Sequence, residues 1–130
     1  MYRKMLRAKI HRAVVTHADV NYEGSVTIPP ELLHATDIKE YEAVHVWNLT
    51  QGTRFETYAI SGLPGATDLC INGAAAHLAS PGDQVIIASF CDIEEGMLKQ
   101  FSPKVVFVDE NNRQTISRKE APGPFLRKVS

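Results

Sequence analysis

The bond between Gly24 and Ser25, inside Tyr22-Glu23-Gly24-Ser25, offers chemistry that most peptide bonds lack. Gly24 has no Cβ, so its backbone reaches strained or left-handed conformations and its carbonyl is open to approach. The Ser25 hydroxyl is the nearest nucleophile, and its attack on that carbonyl converts the amide to an ester. Elimination from the ester cuts the chain and leaves a dehydrated serine. Hydrolysis of that product gives a pyruvoyl group, an electrophilic ketone at a new N-terminus. Gly-Ser is also ordinary turn chemistry, so the dipeptide acquires meaning only from its surroundings.

Those surroundings must come from one small domain. A chain of 130 residues is long enough for a real core but not for two. Its hydrophobic fraction of 44%, charged fraction of 22% and formal net charge of −1 describe an ordinary soluble protein with no general pull toward nucleic acid or anionic membrane. Cys70 and Cys91 form no C-x-x-C and no familiar metal spacing, which fits buried thiols in a reducing cytosol. The basic start Met1-Tyr-Arg-Lys-Met-Leu-Arg is not followed by a signal-peptide core, and no apolar run is long enough to span a bilayer. The expected protein is therefore soluble and cytoplasmic. Its five histidines (His11, His17, His34, His45, His77) show no H-x-H or H-E-x-x-H pairing, which argues against a metal enzyme.

Periodicity predicts many short strands. Leu6, Ala8 and Ile10 alternate with Arg7, Lys9 and His11, so Lys9 and His11 share the face opposite Ile10. Val14-Val15-Thr16 continues that strand or begins another, and Thr16 to Asp19 reads as a turn before Tyr22. Val26 and Ile28 form a short strand after Ser25. Pro29-Pro30 then opens a helix of about two turns over Glu31–Thr36, with Leu32, Leu33 and Ala35 inward. Glu42–Thr50 is a strand that holds Val44, Val46 and Leu49 around His45, Trp47 and Asn48. Gln51-Gly52 turns into Arg54–Ile60, where Phe55, Thr57 and Ala59 share one face and Arg54, Glu56, Tyr58 and Ile60 the other. Leu69-Cys70-Ile71 is a brief strand, Asn72-Gly73 a turn signal, and Ala74–Leu78 a short helix. Gln84–Phe90 and Val105–Val108 complete the core strands, with Met97-Leu98 a single helical turn between them. The reading gives one β-barrel domain over 1–110 and a polar, flexible tail over 111–130.

Several ordered blocks carry side chains that a barrel does not need for folding: Lys9-x-His11, Tyr22-Glu23-Gly24-Ser25, Trp47-Asn48, Arg54-x-x-Thr57-Tyr58 and Asn72-Gly73-Ala74-Ala75-Ala76-His77. Together with Thr16-His17-Ala18-Asp19 and Ile86-Ile87-Ala88-Ser89-Phe90, this set closely resembles the pyruvoyl-dependent L-aspartate 1-decarboxylases, from about Met5 to Phe90. One block alone is weak; several in order are specific. The resemblance implies a mainly β, double-psi β-barrel with short helices, assembled as a homotetramer with active sites between subunits. It implies self-cleavage into chains 1–24 and 25–130, with or without an accessory maturation factor, and a covalent pyruvoyl cofactor derived from Ser25. The implied activity is decarboxylation of L-aspartate to β-alanine, which supplies pantothenate and hence coenzyme A.

The resemblance also implies roles. Thr57 stabilises the oxyanion at the Gly24 carbonyl, and His11 and Glu23 are candidates to assist proton transfer in the cut. Because the family uses both Thr57 and Tyr58 at the site, a bulge is expected near Thr57. In turnover the substrate amine forms a Schiff base with the pyruvoyl ketone, which then acts as the electron sink for decarboxylation. Tyr58 returns the proton. The planar guanidinium of Arg54 suits the side-chain carboxylate, with Lys9 sharing or steering, and backbone N–H groups of Gly73, Ala74 and Ala75 make an anion cradle. Asn72 hydrogen-bonds the pyruvoyl amide or the Schiff base, and Trp47 completes the set. Two other readings stay open: a pyruvoyl decarboxylase of another acidic amino acid, and a non-catalytic β-barrel that binds a protein or nucleic acid, the latter opposed by the near-neutral charge.

Overall fold

A computed structural model describes residues 1–123. Its strands are β1 (Tyr2–Val14), β2 (His17–Asp19), β3 (Ser25–Ile28), β4 (Ala43–Asn48), β5 (Arg54–Ser61), β6 (Cys70–Asn72), β7 (Gln84–Glu94), β8 (Lys104–Val108) and β9 (Gln114–Ser117). The helices are short: α1 (Pro30–Thr36) and 3-10 segments at Gly73–His77 and Glu95–Gln100. The strands form a nine-stranded sheet in the order β2-β6-β3-β5-β4-β7-β1-β8-β9. Parallel pairs (β1 with β8, β2 with β6, β3 with β5) are mixed with antiparallel ones, an arrangement consistent with a double-psi β-barrel. No helix among the described residues is long and apolar enough to cross a membrane.

Strand alternation builds the core. Ala8 and Ile10 of β1, Val26 and Ile28 of β3, Val44 and Val46 of β4, and Val85 and Ile87 of β7 are fully shielded in one cluster. Burial of each such branched side chain contributes about 1.5–3 kcal/mol. Helix α1 begins with Pro30 in its first turn, where a missing N–H costs little, and seats Leu32 and Leu33 on the cluster. It ends where Asp37 turns left-handed, at φ 57°.

Two local expectations change. His17–Asp19 is a strand, not a turn, because it pairs in parallel with Cys70–Asn72 far along the chain. Leu49 is 48% exposed, whereas Asn48 is buried at 3%. The Asn48 carbonyl oxygen accepts from the N–H groups of Thr50 and Gln51, and its amide donates to Asp83 at 2.8 Å, so it serves as the internal brace of the Gln51-Gly52 turn. The chain after residue 110 is not simply a tail. Gln114–Ser117 pairs with β8, and buried Asn112 accepts from the Val14 N–H at 2.7 Å while donating to the carbonyls of Val14 and Thr67. Polar composition concealed this, because Asn112 binds backbone rather than apolar surface. The remainder of the expected tail, 124–130, lies outside the described residues.

Candidate active site

Ser25 is the first residue of β3, 4% exposed, with φ 104°. That is a backbone region which side-chain-bearing residues rarely occupy, at a cost of about 1–3 kcal/mol. What holds it there is pairing: β3 bonds antiparallel to β6, with Ser25 opposite Asn72, and parallel to β5 from Val26 opposite Ala59. One step back along that second register is Ser25 beside Tyr58.

Gly73 explains the close approach on the other side. It follows Asn72, has φ 71°, and a Cβ there would lie 2.9 Å from the Gly24 Cα and 3.2 Å from the Gly24 nitrogen. Only glycine lets the backbone entering the Gly73–His77 segment press against Gly24, the residue before Ser25. Asn72, also buried, donates its amide to the Thr27 hydroxyl at 3.3 Å, so its side chain is fixed on β3 two residues beyond Ser25. Ala75 packs toward the core and Ala74 is exposed, and neither lines the cavity at Ser25.

That cavity has a volume of about 580 Å³ and brings together Glu23, Gly24, Ser25, Tyr41, Tyr58 and Cys70 among its walls. Glu23 and Asp68 are its charged wall residues, and among the described residues it has no lysine or arginine. Burial, and then the nearby Asp68 charge, push the Cys70 thiol up, which keeps it protonated rather than a rival nucleophile. Tyr41, Asp68 and Cys70 were not singled out in the sequence. Cys70 reads in sequence only as a buried thiol on a short strand, and Tyr41 and Asp68 carry no motif that distinguishes a cavity wall from a loop.

Thr57 and Tyr58 lie on opposite faces. The β4–β5 register runs without a shift from Trp47 opposite Arg54 to Ala43 opposite Tyr58, so the expected bulge near Thr57 is absent. Unbroken pairing with β4 holds this part of β5 in step, and alternation turns Tyr58 into the cavity while Thr57 points the other way, half-buried. Bulges occur instead in β1, between Leu6 and Ala8 and between Ile10 and Ala13, where Arg12 has φ 69°.

The remaining predicted residues occupy two other places in the chain. The Arg54 guanidinium sits 4.8 Å from the centre of the Trp47 ring, in a cavity of about 550 Å³ shared with Lys4, His45 and Phe90. Lys9 and His11 face a smaller one of about 120 Å³ beside Phe107. There Lys9 Nζ pairs with Glu120 at 3.2 Å, and the His11 ring meets the Phe107 ring edge-on at 5.2 Å. His11 Nδ1 is buried with no hydrogen-bond partner among the described residues.

Burial, then the charges of Lys9 and Arg12, hold His11 below the ordinary histidine value of 6.5. The unfolded chain therefore takes up a proton at higher pH than the folded one. Stability is fully present above pH 6.5 and is lost as pH falls from there toward the depressed folded-state pKa. Between about pH 7.5 and pH 5 the wild-type Tm is expected to fall further than that of His11→Gln, with the other histidines common to both chains. Parallel melting curves for the two chains would show no histidine contribution.

A family model described as aspartate decarboxylase matches residues 1–115. The chain is 63% identical over 122 residues to an aspartate 1-decarboxylase of Legionella pneumophila, covering 94% of this chain and 92% of the relative. It is 58% identical over 129 residues to the enzyme of that name in Rhodopirellula baltica, covering 99% of this chain and 83% of the relative. It is 57% identical over 128 residues to the one in Myxococcus xanthus, covering 98% of each. With the Gly24-Ser25 junction cradled by Gly73 and facing Tyr58, this chain belongs to the aspartate decarboxylase family.

Proposed function

We propose that this protein is an aspartate 1-decarboxylase that cuts itself between Gly24 and Ser25, converts Ser25 to a pyruvoyl group, and turns L-aspartate into β-alanine and CO2. The observation that carries this reading is the buried Ser25 held at φ 104°, next to a Gly24 whose backbone fits only because Gly73 has no Cβ. The cut begins as the Ser25 oxygen bonds to the Gly24 carbonyl carbon and the Gly24–Ser25 C–N bond breaks, the hydroxyl proton ending on nitrogen. Relief of about 1–3 kcal/mol of backbone strain favours that exchange. Glu23, on the cavity wall, is in place to move the proton. Thr57 acts as oxyanion donor only if the chain shifts locally from its regular pairing, since its side chain does not line the cavity.

When formed, the pyruvoyl group supplies the electrophile for the substrate amine and the sink for the electrons released with CO2. The chain's own residues bind the substrate and move its protons. Tyr58, in the same cavity as Ser25, delivers a proton to the carbon that lost CO2. Among the described residues this cavity is walled by Glu23 and Asp68 without a lysine or arginine, which is hostile to a dicarboxylate, and a positive group brought from a neighbouring subunit answers that need. In a homotetramer with sites between subunits, a neighbouring copy brings Arg54, Trp47, Lys9 and His11 to this cavity. Arg54 then grips the side-chain carboxylate through its planar fork.

The test is a denaturing intact-mass spectrum of the purified protein beside an aspartate decarboxylation assay. Two fragments, residues 1–24 and 25–130 with a pyruvoyl group in place of Ser25, are expected in the active preparation. An uncut chain that decarboxylates aspartate as well as cut protein would overturn the reading. Gly73→Ala tests the cradle: its new methyl meets the Gly24 backbone, so cleavage is expected to slow by roughly 10–100-fold. The uncut fraction against time measures it, and wild-type cleavage would remove the cradle from the mechanism.

A further inference from the structure

Tyr41 lines the Ser25 cavity, is 75% exposed, and has φ 71°. Asparagine, aspartate or glycine tolerates such a backbone, whereas a bulky aromatic side chain there is an outlier that the surroundings must enforce. They do so by a closed set of bonds. The Tyr41 N–H donates to the Ala59 carbonyl at 2.7 Å, and the Ala59 N–H donates to the Glu42 carbonyl at 3.0 Å. The Glu42 side chain is anchored in turn by the Arg7 guanidinium at 2.6 Å, the Ser89 hydroxyl and the Lys39 N–H at 3.0 Å.

The consequence falls on Tyr58, the chain neighbour of Ala59. The rings of Tyr41 and Tyr58 lie 6.4 Å apart between centroids and are inclined by 31°, within the range over which aromatic pairs attract. Tyr58 is itself 39% exposed, and a phenol turning freely in water is poorly placed to give a proton to one particular carbon.

We propose that Tyr41 is a positioning residue for the decarboxylation, its ring held over Tyr58 so that the Tyr58 phenol stays aimed at the substrate carbon. The inference rests on Tyr58 being the proton donor. The ring and not the hydroxyl of Tyr41 does the work, and the strained backbone is what places it.

The test uses fully self-cleaved wild type, Tyr41→Asn, Tyr41→Phe, Tyr58→Phe and the Tyr41→Asn/Tyr58→Phe double variant. Asparagine suits the positive φ, so Tyr41→Asn is expected to fold and cleave normally, with a Tm equal to wild type or raised by roughly 2–4 °C. Its kcat is expected to fall about tenfold with little change in KM. Tyr41→Phe should restore kcat, and Tyr41→Asn should cost nothing more once Tyr58 is already Phe, because the two act as one unit. Wild-type kcat in Tyr41→Asn, a change confined to KM, or failure of Phe to rescue would each overturn the proposal. Normal turnover by Tyr58→Phe would overturn the proton-donor assignment and this inference with it. Normal Tyr41→Asn beside a crippled Tyr58→Phe would overturn this inference alone.

Discussion

Ser25→Ala is expected to run as a single uncut chain and to lose decarboxylation by roughly 10⁴-fold or more, the scale seen when a covalent catalyst's nucleophile is removed. No other side chain at the junction replaces what is lost. Alanine has no oxygen to attack the Gly24 carbonyl, and with no cut there is no new N-terminus to carry a ketone. The loss should come without unfolding. Ser25 is held through the backbone pairing of β3 with β6, and its neighbours are held by the pairing of β3 with β5, neither of which uses the hydroxyl. Alanine at φ 104° keeps the same strain, so Tm should match that of an uncut wild-type precursor. Mass spectrometry, thermal melting and CO2 release from aspartate read the three properties separately. A cut Ser25→Ala chain, or an active uncut one, would end the self-processing account.

Tyr58→Phe should separate the two reactions. Self-cleavage makes no demand on this phenol, so the variant is expected to yield the same two fragments at the wild-type rate. Turnover requires a proton at the carbon vacated by CO2, and removal of a positioned general acid costs about 10²–10⁴-fold in kcat, or roughly 3–5 kcal/mol of barrier. KM should change little, because the carboxylate grip comes from other groups. Stability should hardly move, since the Tyr58 side chain is partly open to solvent and its ring packing against Tyr41 survives in phenylalanine. Unchanged kcat would assign proton delivery to another group. Blocked cleavage would instead give Tyr58 a part in processing.

Much of this protein follows from short-range pattern. Alternation identified the buried faces around Ile10, Val46 and Ala59, and the prolines before Glu31 marked the start of α1. A glycine beside a serine, an Asn-Gly turn followed by small residues, and a tyrosine on a strand are each legible as local features. These features are local: side chains two apart share a face of a strand whatever it pairs with, and a glycine's freedom belongs to the residue itself.

Tertiary structure decided which parts meet. Parallel pairing of β3 with β5 brings Ser25 to Tyr58, and antiparallel pairing with β6 lays Gly73 on Gly24; neither register is written in the segments alone. The continuous β4–β5 register kept Thr57 off the cavity where a bulge was expected. Asn48 is buried beside its turn, and Asn112 ties the polar end of the chain to β1, because buried backbone groups need hydrogen bonds that apolar residues cannot give. The distribution of Arg54, Lys9 and Ser25 over separate cavities likewise emerges only in three dimensions. Periodicity states which face of a strand is buried, but strand partners and registers are chosen by contacts distant in sequence.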